Sequence, residues 1–496
     1  MGGGAMKQKN VLRAGATFAL AGALALAGCA GAPEAAEEPV ASVLDPSDPV
    51  QVELWTYYNG TQQQAFEDLV KDFNATQGKD LGIVVTSSSQ GGVTALASAV
   101  TDSAQGLVGS ASMPDAFLSY SDTASVIDEL GMVADLSGYF TDEEKAGFVD
   151  SFLAEGDLNG NGGLKVFPVG KSTETLQINM TDFQTFADAT GTSLDELGTI
   201  EGVTKVAQRY YEWTDAQTPD VVGDGRPFFG RDAMANYLIT GSKQLGHEIL
   251  NIEGGTCTLN FDRATMKKLW DNYYVPMVQG WFSAEGKFRS DAVKTGDLIC
   301  YVGSSSSVVY FPQTVTVDDE TSYPIELGAL PDPSFEGGQP CAPQQGAGFV
   351  VTKSDEKKET ACAEFLKWFT AKEQNTDFSV SAGYVPVTKD ALTLENLEAA
   401  AKSIEGASEN YLVNLPATLD TIEAGVYANP PFKGGVEARA VLERSLSDKA
   451  VADRTAVAEA VAAGTSPEEA VAPYLEDAVF DAWLADLTTQ LKGAIA

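Results

Sequence analysis

Apolar residues recur with two different spacings along this chain. Residues 50–58 (VQVELWTYY) alternate apolar and polar positions and are rich in β-branched and aromatic types, which predicts a strand closing on Trp55, Tyr57 and Tyr58. The period then lengthens: Phe66, Leu69, Val70 and Phe73 share one face of a helix predicted over residues 62–74. A second strand at residues 83–85 runs into a polar stretch holding Ser89 and Gln90, and another helix follows over residues 93–104. Strands alternating with helices predict a parallel α/β sheet, whose ligands gather outside the carboxyl ends of the strands. The same order returns late, at residues 344–387. Gly346 and Gly348 let the backbone approach something closely, Phe349, Val350 and Val351 read as a strand, and Ala361, Cys362, Phe365, Leu366 and Phe369 form a helix face. Pro386 then pushes the chain, with Tyr384, into an extended exit. Beyond it the pattern is helical to the end.

Length adds that one core is not enough: 496 residues call for at least two lobes. A net charge of −38 repels nucleic acid and anionic lipid, so neither is expected as a partner. Lys7, Lys9 and Arg13 precede an apolar run at residues 14–25 that is too short to span a bilayer, which reads as a signal peptide over residues 1–28. Residues 29–49, rich in Ala, Pro and Glu, read as a disordered tether. Cys257, Cys300, Cys341 and Cys362 make an even number in an exported chain, so two disulfides are expected. Three pairings are open; Cys257–Cys300 with Cys341–Cys362 is preferred because each stays local in sequence, and buried free thiols are the alternative.

Chemistry-bearing motifs are sparse. Gly170-Lys171-Ser172 imitates the end of a phosphate loop, but Lys165 stands where its first glycine is needed. Asp157, Asn159, Asn161 and Gly162 imitate a calcium loop, but Pro168 occupies the twelfth position, so a turn is expected and no metal. His247 is the single histidine, and neither a zinc-protease motif nor a serine nucleophile elbow is present. A glycoside hydrolase built on two carboxylates stays open among 70 acidic residues. A structural adhesin ranks last, since no repeats are visible.

Leu26-Ala27-Gly28-Cys29 resembles the lipobox of bacterial lipoproteins, which implies cleavage before Cys29 and its lipidation. The mature chain resembles the extracellular solute-binding proteins of sugar and glycerol-phosphate ABC importers. The resemblance is carried by the early strand ending in Trp55, by Phe73-Asn74, by Pro114-Asp115 and by the turn at residues 131–136. It continues through the crossover Phe167 to Phe183, the strand before Gly303 and the return at Pro331-Asp332-Pro333. It implies a two-lobe periplasmic-binding-protein-like α/β fold of type II, with sheets flanked by helices and a ligand cleft between the lobes. Lobe 1 would hold residues 50–172 and 330–382, and lobe 2 residues 173–329 and 383–496. The implied partners are a carbohydrate ligand and an ABC permease, with the membrane reached only through the lipid, no cofactor, and a monomer bound to the outer face of the cell membrane. An enzyme is not expected.

By the same resemblance Ser172, Thr173 and Glu174 lie on the hinge strand. Trp55, Tyr57, Ser89, Gln90, Ser304 and Ser305 lie at predicted strand ends, Trp213, Arg231 and Asp232 in or beside an aromatic loop-like stretch, and Tyr384 on the exit. Aromatic faces with hydroxyl and amide groups suit a sugar. The glycerol-phosphate branch carries an arginine that residues 430–435 (PPFKGG) lack, which weakens an anionic ligand as the alternative, although Lys433 could substitute as a point charge.

Overall fold

A computed structural model describes residues 43–404 and 406–496. The signal peptide, Cys29 and most of the expected tether lie outside the described residues. The last part of the tether is not loose: Leu44 is buried in the first core, and the Asp48 carboxylate pairs with Lys357 at 2.7 Å. That corrects the reading of residues 43–49 as disordered; their polar composition hides one apolar anchor.

Two sheets organise the chain. The strands in order are β1 (Val50–Thr56), β2 (Ile83–Ser89), β3 (Ala116–Ser119), β4 (Phe167–Pro168), β5 (Glu174–Asn179), β6 (Phe229–Arg231), β7 (Cys300–Ser304), β8 (Leu327–Pro331) and β9 (Gly348–Val351). The first sheet runs β2-β1-β3-β9-β4 and the second β8-β5-β7-β6. β1 pairs in parallel with β2 and β3, as the strand–helix alternation predicts, while β9 returns antiparallel between β3 and β4. Helices close on the expected faces. Phe66, Val70 and Phe73 of the helix Gly60–Ala75 are buried, and Phe66 and Phe73 meet Phe365 ring edge to face. Each sheet has its own apolar core, one around Phe66, Phe117 and Phe349 and one around Phe186, Leu238 and Trp270.

The chain passes from the first sheet to the second at Lys171, Ser172 and Thr173 and returns through Gln344, Gln345 and Gly346. The two passages are paired: the amides of Ser172 and Gln345 each donate to the other's carbonyl, at 3.0 and 2.8 Å. Gly346 has φ +91°, and a Cβ there would collide with the carbonyl oxygen of Gly170. The close approach anticipated for this glycine is what lets the crossover close.

The disulfide expectation is corrected: the four cysteines among the described residues are free thiols. Cys300 lies in the middle of the second sheet, whereas Cys257 sits on a peripheral hairpin strand, Thr256–Leu259. Cys362 is buried in the first core against the Asp115 carbonyl, and the Cys341 carbonyl accepts the Gln244 side-chain amide at 2.7 Å on the other side of the crossover. Nearness in sequence did not become nearness in space. The Asp157 loop is a turn, its carboxylate taking the amides of Asn161 and Gly162 at 3.0 and 2.7 Å.

Candidate functional site between the two sheets

The strand ends that meet at the crossover carry an unusual density of buried polar groups. β5 begins at Glu174, whose side chain is fully buried. One carboxylate oxygen accepts the Asn236 side-chain amide at 2.6 Å and the Gln345 amide at 3.1 Å. The other stands 3.7 Å from the Arg231 guanidinium and has no hydrogen-bond donor. Arg231 spends its stronger contact on Asp332, at 2.7 Å. Burial pushes the Glu174 carboxyl up to about 8, against the pull of Arg231, and raises Asp332 as well. A buried carboxylate that keeps its charge needs paired donors, and Glu174 is one donor short.

Outside this foundation lies a second layer. Asn236 passes the connection on, accepting from Arg439, a largely exposed residue on the long helix Gly435–Ala462. The start of that helix reaches the helix Ser121–Glu129 of the first sheet: a methyl group on Gly435 would lie 3.0 Å from Asp122 Oδ1. Asp122 Oδ1 is buried without a donor, and burial lifts its carboxyl to about 6 although Arg439 pulls it down. Glu443, one turn beyond Arg439, accepts the amides of Met234 and Ala235 at 3.1 and 2.9 Å, capping the helix Met234–Gln244. Ala233, just ahead of that helix, has φ +49° and is the only non-glycine with positive φ among the described residues. Such strain is held where the surroundings over-determine the backbone.

On the first-sheet side, Lys171 is fully buried and held by Glu155 at 2.6 Å and the Gly346 carbonyl at 2.7 Å. Gln344 donates to the same Glu155 oxygen. The hydroxyls of Tyr57 and Tyr384 are 3.4 Å apart, and the ring of Tyr384 stacks on Phe378.

Most of the residues singled out from sequence meet here. Ser172, Thr173, Glu174, Arg231, Ser304 and Ser305 share the crossover: Ser305 Oγ accepts the Thr173 amide at 3.1 Å, and the Ser304 and Ser172 hydroxyls are 3.3 Å apart. Tyr57 and Tyr384 flank it from the first core, and Asp232 follows β6, paired with Arg289 at 3.6 Å and raised to about 6 by burial. Ser89 ends β2 and accepts nothing from the crossover, its hydroxyl donating to the Tyr58 carbonyl, while Gln90 turns to Ser88.

Two expectations are corrected. Trp55 is buried in the first core with its indole N–H on Glu53. Trp213 lies not on a loop but on the helix Ile200–Asp215, packed with Phe186 and Tyr210 beside Phe228. That is the Asn179 end of the second sheet, ~17 Å from the Glu174 end at ~3.3 Å per strand residue. Missed were Asp122, Asn236, Gln345 and Arg439, which no local motif marks. Asp332 was noticed only as part of the return at Pro331-Asp332-Pro333.

Residues 68–404 match the bacterial extracellular solute-binding protein family, and the chain belongs to that family. Its fold is that of the type II periplasmic binding proteins. The cyclic α-maltosyl-1,6-maltose binding protein from Arthrobacter globiformis superposes with a TM-score of 0.63 at 19% identity, covering 90% of this chain and 100% of that one. UgpB from Mycobacterium tuberculosis, in complex with glycerophosphocholine, gives 0.62 at 19% identity over 90% and 100%. The maltose/maltodextrin-binding domain MalE from Bdellovibrio bacteriovorus, bound to maltotriose, gives 0.57 at 15% identity over 85% and 97%. No curated protein sequence matches the chain significantly. Among the described residues no helix is long and apolar enough to cross a membrane.

The raised carboxyls set a pH dependence. A group whose pKa rises on folding contributes stability that is full below its unfolded value and is lost as pH climbs through the folded one. For Glu174 that window runs from its ordinary 4.5 to about 8, with Asp122 and Asp232 acting up to about 6. The melting temperature of the ligand-free protein should therefore fall from about pH 5 to about pH 8, and Glu174→Gln should flatten the slope. Calorimetry checks this; an unchanged slope in the variant contradicts the assignment.

Proposed function

We propose that this chain is the receptor of an ABC importer, tethered through a lipid on Cys29, that captures a carbohydrate between its two sheets and returns it unaltered to a permease. The observation that supports the ligand class best is a set of buried oxygens without hydrogen-bond partners where the sheets meet: Asp122 Oδ1, Glu174 Oε2 and Gln345 Oε1. Each buried unsatisfied polar group costs about 1–3 kcal/mol. A polyhydroxylated ligand brings several hydroxyls, each able to donate or accept, to one place. Because these oxygens belong to different segments on both sides of the crossover, one ligand engaging all of them would favour closure of the hinge over opening.

A second reading, a glycerophosphodiester, has one observation of its own. Arg439 supplies near the crossover an exposed guanidinium with no carboxylate within ion-pair distance among the described residues, the arginine absent from residues 430–435. The buried oxygens argue the other way: a phosphate offers no donor to Asp122 Oδ1 or Gln345 Oε1 and adds negative charge near the Glu155 carboxylate. Among the solved relatives, the Arthrobacter and Bdellovibrio proteins carry sugar names and the mycobacterial one a phosphodiester.

A thermal-shift screen followed by calorimetry decides between them, since a ligand of the folded state raises the melting temperature. A neutral mono- or oligosaccharide should bind, with Asp122→Asn or Glu174→Gln weakening it about tenfold or more, that is ~1.4 kcal/mol. Binding of glycerophosphocholine or glycerol-3-phosphate that Arg439→Ala abolishes, with no response to any neutral sugar, would replace the carbohydrate reading. For the anchor, Cys29→Ser should release the chain from the membrane fraction or leave it unprocessed. Normal processing with unchanged retention counts against lipidation.

A further inference from the structure

The far end of the second sheet holds a cavity that the interlobe reading leaves unused. Its volume is about 310 Å³, and it is lined by Tyr210, Trp213 and Tyr323 together with Asp182, Asp224 and Arg226. This is where the aromatic stretch singled out in the sequence comes to rest. The aromatics are not all spent on packing. Trp213 touches Phe186 and Tyr210, with ring centroids at 5.5 and 5.8 Å, yet is only half-buried. No acceptor among the described residues takes its indole N–H.

The polar rim is built rather than incidental. Tyr323 O–H and the Asn179 amide both donate to Asp182 Oδ2, at 2.9 and 2.7 Å, which fixes the carboxylate and leaves its other oxygen free of side-chain donors. The loop after the helix is pinned over the cavity by Asp215, which accepts the amides of Gly223 and Asp224 at 2.7 and 2.9 Å. Asp224 in turn holds the Thr218 hydroxyl at 2.7 Å, and the Arg226 amide donates to Thr214 at 2.8 Å. The Arg226 side chain is exposed, its charge bears on both Tyr210 and Tyr323, and no carboxylate pairs with it among the described residues.

An aromatic wall with carboxylates, a guanidinium and an indole N–H around it fits a ring that is apolar on its face and hydroxylated at its edge. A purely apolar molecule would leave the rim unsatisfied, and an anion would meet Asp182 and Asp224. The volume lies at the lower end of ligand sites, which run from about 300 to about 1,000 Å³, so one ring is the natural load. We propose that this cavity is a second binding site, taking one pyranose unit of a neutral sugar with its face on Trp213 and its hydroxyls on Asp182, Asp224 and Arg226. The ~17 Å strand between this end and the crossover keeps one ring from filling both sites.

Saturation-transfer NMR on the full chain with the methyl pyranosides of glucose, galactose and mannose, each at millimolar concentration, tests this without relying on the interlobe site. At least one pyranoside should give a signal that survives the Asp122→Asn, Glu174→Gln double variant. That signal should fall about fivefold or more in Trp213→Ala and in Arg226→Ala. Arg226 is exposed, so its variant decides if the tryptophan variant does not fold. The proposal is overturned if no pyranoside signal survives the interlobe double variant, or if the surviving signal is indifferent to Arg226→Ala. A signal lost in Arg226→Ala, with no sugar depending on Asp122 or Glu174, would uphold this site while removing the interlobe reading.

Discussion

A carboxylate buried at the first residue of the strand that enters the second sheet governs this molecule. Glu174 cannot be moved without disturbing three segments: Asn236 on a helix, Gln345 on the return passage and Arg231 at the end of β6 all converge on it. Arg231 in turn ties in Asp332 at the end of β8. A buried ion group of this kind is weak evidence for stability, since its desolvation rivals its attractions. What it fixes is geometry: the ends of β5, β6 and β8 and the return passage are held in one register around a single acidic group.

From that foundation the outer layer follows. Asn236, oriented by Glu174, presents its oxygen to Arg439, and the same long helix brings Gly435 against Asp122 and uses Glu443 to cap the helix that carries Asn236. A helix from the last part of the chain thus touches groups belonging to both sheets. The crossover itself is stiffened by the reciprocal bonds of Ser172 and Gln345 and by Lys171, whose buried ammonium is satisfied by Glu155 and a backbone carbonyl. Most polar groups at the crossover are therefore satisfied by each other, while Glu174 Oε2, Gln345 Oε1 and, on the neighbouring helix, Asp122 Oδ1 keep no partner.

Local periodicity made the first two strands, the returning strand and the helices beside them readable, but not the order of the strands or the mainly antiparallel pairing of the second sheet. The helix Val93–Ala104 falls where the pattern puts it, and the first strand differs by only its last two residues. Gly346 was legible because only a residue without Cβ tolerates its approach to Gly170. The crossover was legible because a recognisable stretch of chain carries Ser172, Thr173 and Glu174 together. Arg439 and Asn236 were not, since they come from separate helices and are joined only by folding. Trp213 misled for a related reason: the surrounding glycines, prolines and aspartates suggested a loop, but they begin only after the helix Ile200–Asp215 has closed. The cysteines misled because sequence separation says little about which side of a sheet a residue faces.

The central claim is that Asp122 on one side of the crossover and Glu174 on the other are read by the same bound molecule. A double-mutant cycle of Asp122→Asn and Glu174→Gln, measured by calorimetry on the neutral sugar with the largest thermal shift, tests it most directly. Groups sharing a ligand network couple by about 0.5–3 kcal/mol, whereas independent groups add within about 0.5 kcal/mol. The account predicts that each substitution weakens binding and that the pair is coupled; additive losses, or no loss from either, would contradict it.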